Sequence, residues 1–345
     1  MDIEIVDPRS EPGWDAALLA SGDPTFFHSA AWAAVLAETY QFTPLYLAGR
    51  DQAKFSLVMP LMEVRSILTG SRGVSLPFTD LCPPFAVDGR LIEAARARAL
   101  EYGRRAGWRF IEWRDGAPAG AGPAAHETYF RHDIFLGKSE SALFAGLPAA
   151  NRRNIRKAMR EGVSTSIDGS MRSLEAFYRL NCRTRRRHGL PPQPFRFFDK
   201  LHDHVLSKGL GIVALAHHAG RAVAGSVFLL FGGRAIFKYG ASDRSRQNLR
   251  PNNLLMWDAI LWLKANGQTH LDLGRTEPEN DGLLRFKRAW GGDESTVDYH
   301  QYSFKAEAFV TGRRRPRPEI WSRLAARAPL PLLRLFGTLA YRHIG

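Results

Sequence analysis

The chain has 345 residues, 45% of them hydrophobic and 24% charged, which excludes a largely disordered polymer and leaves length for two cores. Lysine and arginine number 48 against 34 acids, a formal net charge of +14, so an anionic partner is expected: nucleic acid, a phosphorylated small molecule or an acidic membrane face. No apolar run approaches the ~18 residues that span a bilayer. The acidic start MDIEIVDPRSEPGWD has no apolar leader core, and two cysteines, Cys82 and Cys182, cannot form a disulfide framework. These features predict a cytoplasmic chain with two free thiols.

Periodicity and turn residues predict the elements in chain order. A strand near Ile3–Val6 precedes helices over Trp14–Ala20 and Ala30–Thr39, the second capped by Ser29. Strands at Pro44–Ala48 and Phe55–Arg65 flank a turn at Gly49–Lys54. PFTDLCPPFAVDG reads as a proline-rich loop, and a helix over Leu91–Ala106 stops at Gly107 before a strand at Trp108–Arg114. A strand at Thr128–Leu136 ends the first half. The second half begins with helices at Ser139–Gly146 and Ala149–Glu161, then a strand at Val163–Ile167. Helices at Ser173–His188 and Phe197–Lys208 follow. Strands at Ile212–His217, Ala222–Phe231 and Ala235–Tyr239 lead to a helix at Asn253–Ala265 that stops at Gly267, with Asn253 a candidate N-cap. A strand at His270–Leu273, a short helix at Gly282–Ala289 and a strand at Thr296–Phe304 complete it.

The halves share a pattern of elements but little residue identity. Helix, Gly107 and GWRFIEWR correspond to helix, Gly267 and GQTHLDLG; PLYLAGRDQAKFSLVMPL and GIVALAHHAGRAVAGSVFLL are both strand, polar turn, strand. The pattern predicts two mixed α/β units at 1–145 and 146–310, with a substrate cleft between them. Residues 311–345 form a basic extension whose eight arginines against one acid carry half the net charge. TGRRRPRPE reads as a linker. Beyond it, Trp321, Leu324, Leu332, Leu333, Leu335, Phe336 and Leu339 recur at helical spacing. Such a segment either lies in an anionic headgroup layer or packs one stripe on the body.

The block Phe237–Gly292 resembles the Fem family (FemABX) of acyltransferases. The likeness rests on KYGAS, the helix LLMWDAI, the strand DLG, and DGLLRFK before a Trp-Gly; FFHSAAWAAVLAE and the Pro60-Leu61 pair support it from the first half. The resemblance implies two tandem GNAT-like domains in mixed α/β sheets. It also implies transfer of an aminoacyl group from aminoacyl-tRNA to a lipid- or nucleotide-linked muropeptide, or, as in FemAB-like relatives, of an acyl group in exopolysaccharide synthesis. The carboxy-terminal extension is similar to that of the exopolysaccharide-associated relatives.

The resemblance marks Lys287, after the aromatic Phe286, as the group steadying the tetrahedral oxyanion formed when an amine attacks an ester or thioester. One such donor is worth about 3–4 kcal/mol. In the family the ammonium is held by a cation–π contact to that aromatic. Lys287 alternatively binds a tRNA phosphate, or is a surface lysine of a basic helix. Thr184 and Arg186 best match the family's acceptor-binding pair; guanidinium forks suit a diphosphate. On a helix Arg183 and Arg187 share a face and Arg186 lies on another, while a basic cluster is by default a solvated face. Lys238 and Tyr239 end a strand beside the expected cleft, and Arg250 with Asn252 opens a helix where phosphate binds favourably. Arg244 to Asn253 contains no glycine, so its backbone is poorly suited to wrap a pyrophosphate. That disfavours acetyl-CoA as donor without excluding an acyl-CoA.

Asp272, Glu277, Glu279 and Asp281 are discounted as a general base, and no Cys/His spacing supports a metal. The expected protein is an acyltransferase needing no cofactor beyond its donor, aminoacyl-tRNA or acyl-CoA, and acting on an amine of a phosphorylated or lipid-linked envelope or exopolysaccharide precursor. It is expected in the cytoplasm or against the inner membrane face. A non-catalytic binder of RNA or anionic lipid is the remaining alternative.

Overall fold

A computed structural model describes residues 2–52, 54–114, 124–312 and 319–344, with 319–321 described by backbone alone. Arg313, Arg314, Arg315 and Arg317 of the expected linker lie outside the described residues, as does the side chain of Trp321. The chain folds as two compact units. The first comprises Met1–Phe130, Thr296–Arg315 and Leu339–Gly345; the second comprises Arg131–Ser295 and Pro316–Thr338.

The first unit opens with β1 (Glu4–Val6), α1 (Trp14–Ser21), α2 (Ala30–Tyr40), β2 (Thr43–Pro44), β3 (Tyr46–Asp51), β4 (Lys54–Met59), β5 (Met62–Val64), β6 (Arg72–Val74), β7 (Phe85–Ala86), α3 (Gly89–Arg105) and β8 (Phe110–Trp113). Local chemistry sets several boundaries. The Ser29 hydroxyl accepts from the Trp32 N–H at the start of α2, and Asp88 accepts from the Arg90 N–H at the start of α3, each satisfying a donor the helix leaves open. The single strand expected over Phe55–Arg65 is instead β4 and β5, because Pro60 brings no N–H to a ladder. The proline-rich loop contains β7, which pairs with β4.

Strands β1, β3, β4 and β7 form one sheet in that order. Trp14, Tyr46 and Phe55 pack on it with ring centroids 4.6–5.8 Å apart. Leu47, Leu57, Trp108, Ile111 and Trp113 form the adjacent core. Beneath it lies a buried ion pair: the Arg114 guanidinium stands 2.7 Å from the Glu112 carboxylate and donates to the carbonyls of Leu76 and Thr79. Leu76 and Phe78 both adopt left-handed backbone, φ 62° and 59°, unusual for large side chains. Arg114 therefore fastens the strained start of the proline-rich loop from inside.

The chain continues through β9 (Glu127–Phe135), α4 (Glu140–Gly146), α5 (Ala149–Arg160), β10 (Ser164–Asp168), α6 (Met171–Arg187), α7 (Phe195–His204), β11 (Gly211–His218), β12 (Arg221–Phe231), β13 (Arg234–Ser242), α8 (Pro251–Ala265), β14 (His270–Thr276) and α9 (Asp281–Arg288). Next come β15 (Asp293–Ser303), β16 (Ala308–Val310), α10 (Glu319–Arg327) and α11 (Leu330–Ile344). In the first unit β15 pairs with β8 and β16, and β8, β6, β5 and β2 follow in order. Strand β16 had no sequence signal.

The second unit's sheet runs β10-β11-β12-β13-β14-β9. Strands β10 to β13 are antiparallel neighbours, and β13 pairs β14 in parallel through α8. Helix α8 is apolar nearly all round and is packed among Phe228, Leu271 and Ile155, as an interior helix should be. It begins at Pro251, not Asn253, because proline's fixed φ and missing N–H suit the first helical position. The helix expected over Phe197–Lys208 divides into α7 and a 3₁₀ turn at Leu206–Lys208.

The tail helices dock on the second unit by close backbone approach. A Cβ at Gly189 would overlap the Ser322 carbonyl oxygen of α10, and a Cβ at Gly337 of α11 would overlap that of Pro192. Leu333 is buried on the same side of α11, and the Arg334 guanidinium lies 5.3 Å from the Tyr178 ring centre. The packing alternative for the extension thus holds for one face of α11. In the first unit the last turn of α11 sets Tyr341 5.5 Å from the Phe78 ring. No helix among the described residues is long and apolar enough to cross a membrane.

Candidate active site in the second unit

Two irregularities of the sheet open a site. Opposite Val227 and Phe228 of β12 stand Tyr239 and Phe237, so Lys238 is the extra residue of a bulge that re-aims the strand. The parallel ladder of β13 and β14 ends at Ile236 and Asp272, although β13 continues to Ser242 and β14 to Thr276. Past that point the strands part, and their facing edges carry backbone donors and acceptors that a bound amide can take.

Lys287 stands against the parted end of β14. Only 2% of it is exposed, and its ammonium donates to the carbonyls of Gly274 at 2.8 Å and Arg275 at 3.0 Å. It is therefore not a surface lysine. Gly274 has φ +70°, a conformation that turns its carbonyl toward α9 at little cost to glycine. Phe286 is half-buried at the core margin, 6.1 Å from the Trp290 ring.

Helix α9 is held at both ends. Asn280 caps its start by accepting from the Leu283 N–H. At its end the Asn151 amide donates to the Ala289 carbonyl at 2.7 Å, and Asn253 donates to the Asn151 side-chain oxygen at 2.7 Å. The Asn253 side chain so links α8 to α5 and is not an N-cap. Arg288 forms a paired bond to Glu294, at 2.6 and 2.9 Å, and Glu294 lies 2.8 Å from His132 Nε2. Asn151, His132 and Glu294 had no motif to announce them; each joins residues far apart in sequence.

The other expected site residues gather on the β13 side. The Thr184 hydroxyl donates to the Ser242 carbonyl and accepts from the Ser242 N–H, and Arg187 donates to the same carbonyl. Thr184 thereby clasps the end of β13. Arg186 is half-buried and makes no side-chain hydrogen bond or ion pair among the described residues. Tyr239 packs against Phe177, Phe197 and Phe198, with centroids 5.9–6.4 Å apart, and the Lys238 ammonium lies 5.7 Å from the Tyr239 ring centre. Arg250 is exposed with φ 59° and stands just before α8; Asn252 is half-buried in its first turn. Asp272 lies within β14, where its carboxylate accepts from the Gly274 N–H and from Arg131.

Burial holds the His132 imidazole below its ordinary value of 6.5, aided by the charges of Lys287 and Arg288 and opposed by Glu294. Burial likewise lowers His28 in the first unit, against hydrogen bonds to Pro83 and Thr25. A depressed imidazole pKa means that the unfolded chain binds more protons below 6.5, so acid favours unfolding. Thermal melts are expected to show Tm falling from about pH 7.5 to about pH 5.5, with a shallower slope in His132→Asn. An unchanged slope in that variant would place the proton uptake elsewhere.

Residues 149–288 match the family model described as an acetyltransferase (GNAT) domain. FemX shares the fold at a TM-score of 0.69 and 14% identity, covering 89% of this chain and 98% of its own. A tandem GNAT protein from the clavulanic acid biosynthesis pathway aligns at 0.57 and 12% identity, over 88% and 98% of the two chains. The C-terminal domain assigned to a lysylphosphatidylglycerol synthetase of Agrobacterium fabrum aligns at 0.54 and 11%, over 93% and 94%. Sequence comparison with characterised proteins gives no match. The second unit thus carries the match to an acetyltransferase (GNAT) domain, and the chain shares the fold of FemX and of a tandem GNAT protein.

Proposed function

We propose that the chain transfers an aminoacyl group from aminoacyl-tRNA to an amine of a phosphorylated or lipid-linked cell-envelope precursor. The observation that carries this reading is the Lys287 ammonium, buried and fixed by two backbone carbonyls beside the gap between β13 and β14. The acceptor amine attacks the carbonyl carbon of the aminoacyl ester, and a C–N bond forms as the carbonyl oxygen becomes an oxyanion. Collapse of that intermediate breaks the ester C–O bond; the ribose hydroxyl leaves with a proton and the amine loses one. Lys287 steadies the oxyanion, and a fixed donor in a site shielded from water needs little reorganisation to do so.

Arg186 and Arg250 serve the phosphates of donor and acceptor in this reading, as their exposed or half-exposed guanidiniums allow. The segment before α8 supports a donor other than acetyl-CoA. It is a glycine-free 3₁₀ turn over Arg244–Leu249 whose Asp243 carboxylate already holds the Ser245 N–H. A second reading, acyl-CoA as donor in exopolysaccharide synthesis, is favoured by the match to an acetyltransferase domain. Purified protein given labelled aminoacyl-tRNA or acyl-CoA with amine acceptors separates the two. Transfer from the tRNA ester alone is expected; transfer from acyl-CoA alone would replace the first reading with the second.

A further inference from the structure

Helix α11 is apolar on two opposite faces. Leu333, Gly337 and Tyr341 recur four residues apart and are buried, and Gly337 is the point of approach to Pro192. Leu332, Leu335, Phe336 and Leu339 stand at i, i+3, i+4 and i+7 on the opposite side and are 56–61% exposed. Leu324 of α10 is 58% exposed. A helix that only packs on a protein body needs one apolar stripe, with polar residues outward. Here the outward stripe is apolar, and exposed apolar residues in a contiguous group mark a contact surface.

The flanking charges say what covers it. Arg323, Arg327, Arg334 and Arg342 are all exposed, and Glu319 is the only acid in residues 311–345. A cavity of about 410 Å³ opens beside the outward stripe, lined by Tyr178, Phe195, Arg196, Pro331, Arg334 and Leu335. A second copy of the chain docking symmetrically through this face would set like charges against each other, because a twofold interface brings each patch onto itself. An anionic leaflet meets both requirements at once: hydrocarbon for the leucines and phosphates for the guanidiniums.

We propose that the outward face of α11, with α10, docks on an anionic phospholipid leaflet, and that a phosphodiester headgroup sits in the cavity between Arg196 and Arg334. The inference goes beyond the transfer reaction and stands apart from it, since Lys287, Arg186 and Arg250, the residues assigned to transfer, do not belong to this face. Gly337 and Leu333 keep the helix seated on the body while Leu332, Leu335, Phe336 and Leu339 enter the headgroup layer.

The test is co-sedimentation of the full chain with vesicles of phosphatidylcholine containing about one third phosphatidylglycerol, beside vesicles of phosphatidylcholine alone. The wild-type chain is expected to partition at least about tenfold more strongly to the anionic vesicles and to lose that preference with rising salt. L335E/F336E is expected to lower partition at least about tenfold, and R196Q/R334Q to remove the preference for the anionic lipid. Melting curves matching wild type establish that both variants fold. Equal partition of L335E/F336E and wild type would overturn the proposal. So would no vesicle binding, or a dimer in light scattering that L335E/F336E dissociates, which would assign the face to a second copy.

Discussion

Lys287→Met is expected to lower kcat for acyl transfer about 10²–10³-fold with a much smaller change in KM, the behaviour of a group acting on the developing oxyanion. The substitution keeps the length and apolar stem of the side chain and removes only the charge and its donors. It also breaks the bonds to Gly274 and Arg275, so some loss of Tm is expected, softened because a buried charge is removed with them. Turnover and melting must therefore be read together. A normal kcat in a variant that melts a few degrees early would make Lys287 a brace between α9 and β14 and remove it from the chemistry. Lys287→Arg keeps the charge but carries it on a planar fork, which cannot reproduce the ammonium's placement against two carbonyls; partial activity is expected.

Arg114→Met in the first unit is expected to cost about 3–5 kcal/mol of stability, the usual range when one partner of a buried pair is taken away. The Glu112 carboxylate, 2% exposed, would lose the guanidinium 2.7 Å from it. The carbonyls of Leu76 and Thr79 would lose their donor, and the Tyr299 ring the cation 5.3 Å above it. Urea unfolding measures the loss directly. A loss below about 1 kcal/mol would show that the pair is replaceable by apolar packing, as some buried pairs are. The left-handed backbone at Leu76 and Phe78 should relax in the variant, and limited proteolysis within PFTDLCPP is the readout for that local loosening.

Elements of both units were legible where their signals are local. The N-cap of α2 is Ser29, which accepts from the N–H three residues on, and the stop at Gly267 needs only a left-handed backbone, φ +78°. The helix with Phe286 and Lys287 was legible from its motif, but whether that lysine faced water was not. Its partners are the carbonyls of Gly274 and Arg275, and backbone carbonyls have no residue signature. The Asn253 side chain illustrates the same limit. A helix-opening asparagine reads as a cap, yet Asn151, 102 positions earlier, supplies a better acceptor once α5 and α8 pack.

The extension shows most clearly how the determination divides. Sequence alone determined that residues 311–345 are basic and, beyond TGRRRPRPE, rich in leucine at helical spacing, since propensity, proline positions and charge act over a few residues. It could not decide which leucines would be inside, because α11 carries apolar stripes on both faces and either satisfies helical periodicity. Tertiary structure decided that by geometry: only the face bearing Gly337 lets the helix backbone come close to Pro192. The parting of β13 and β14 was likewise invisible in the chain, being set by how far two strands 28 or more residues apart in sequence stay in register. Composition and local pattern fix the elements and their charge; the distance at which backbones meet fixes what is buried and where a substrate can enter.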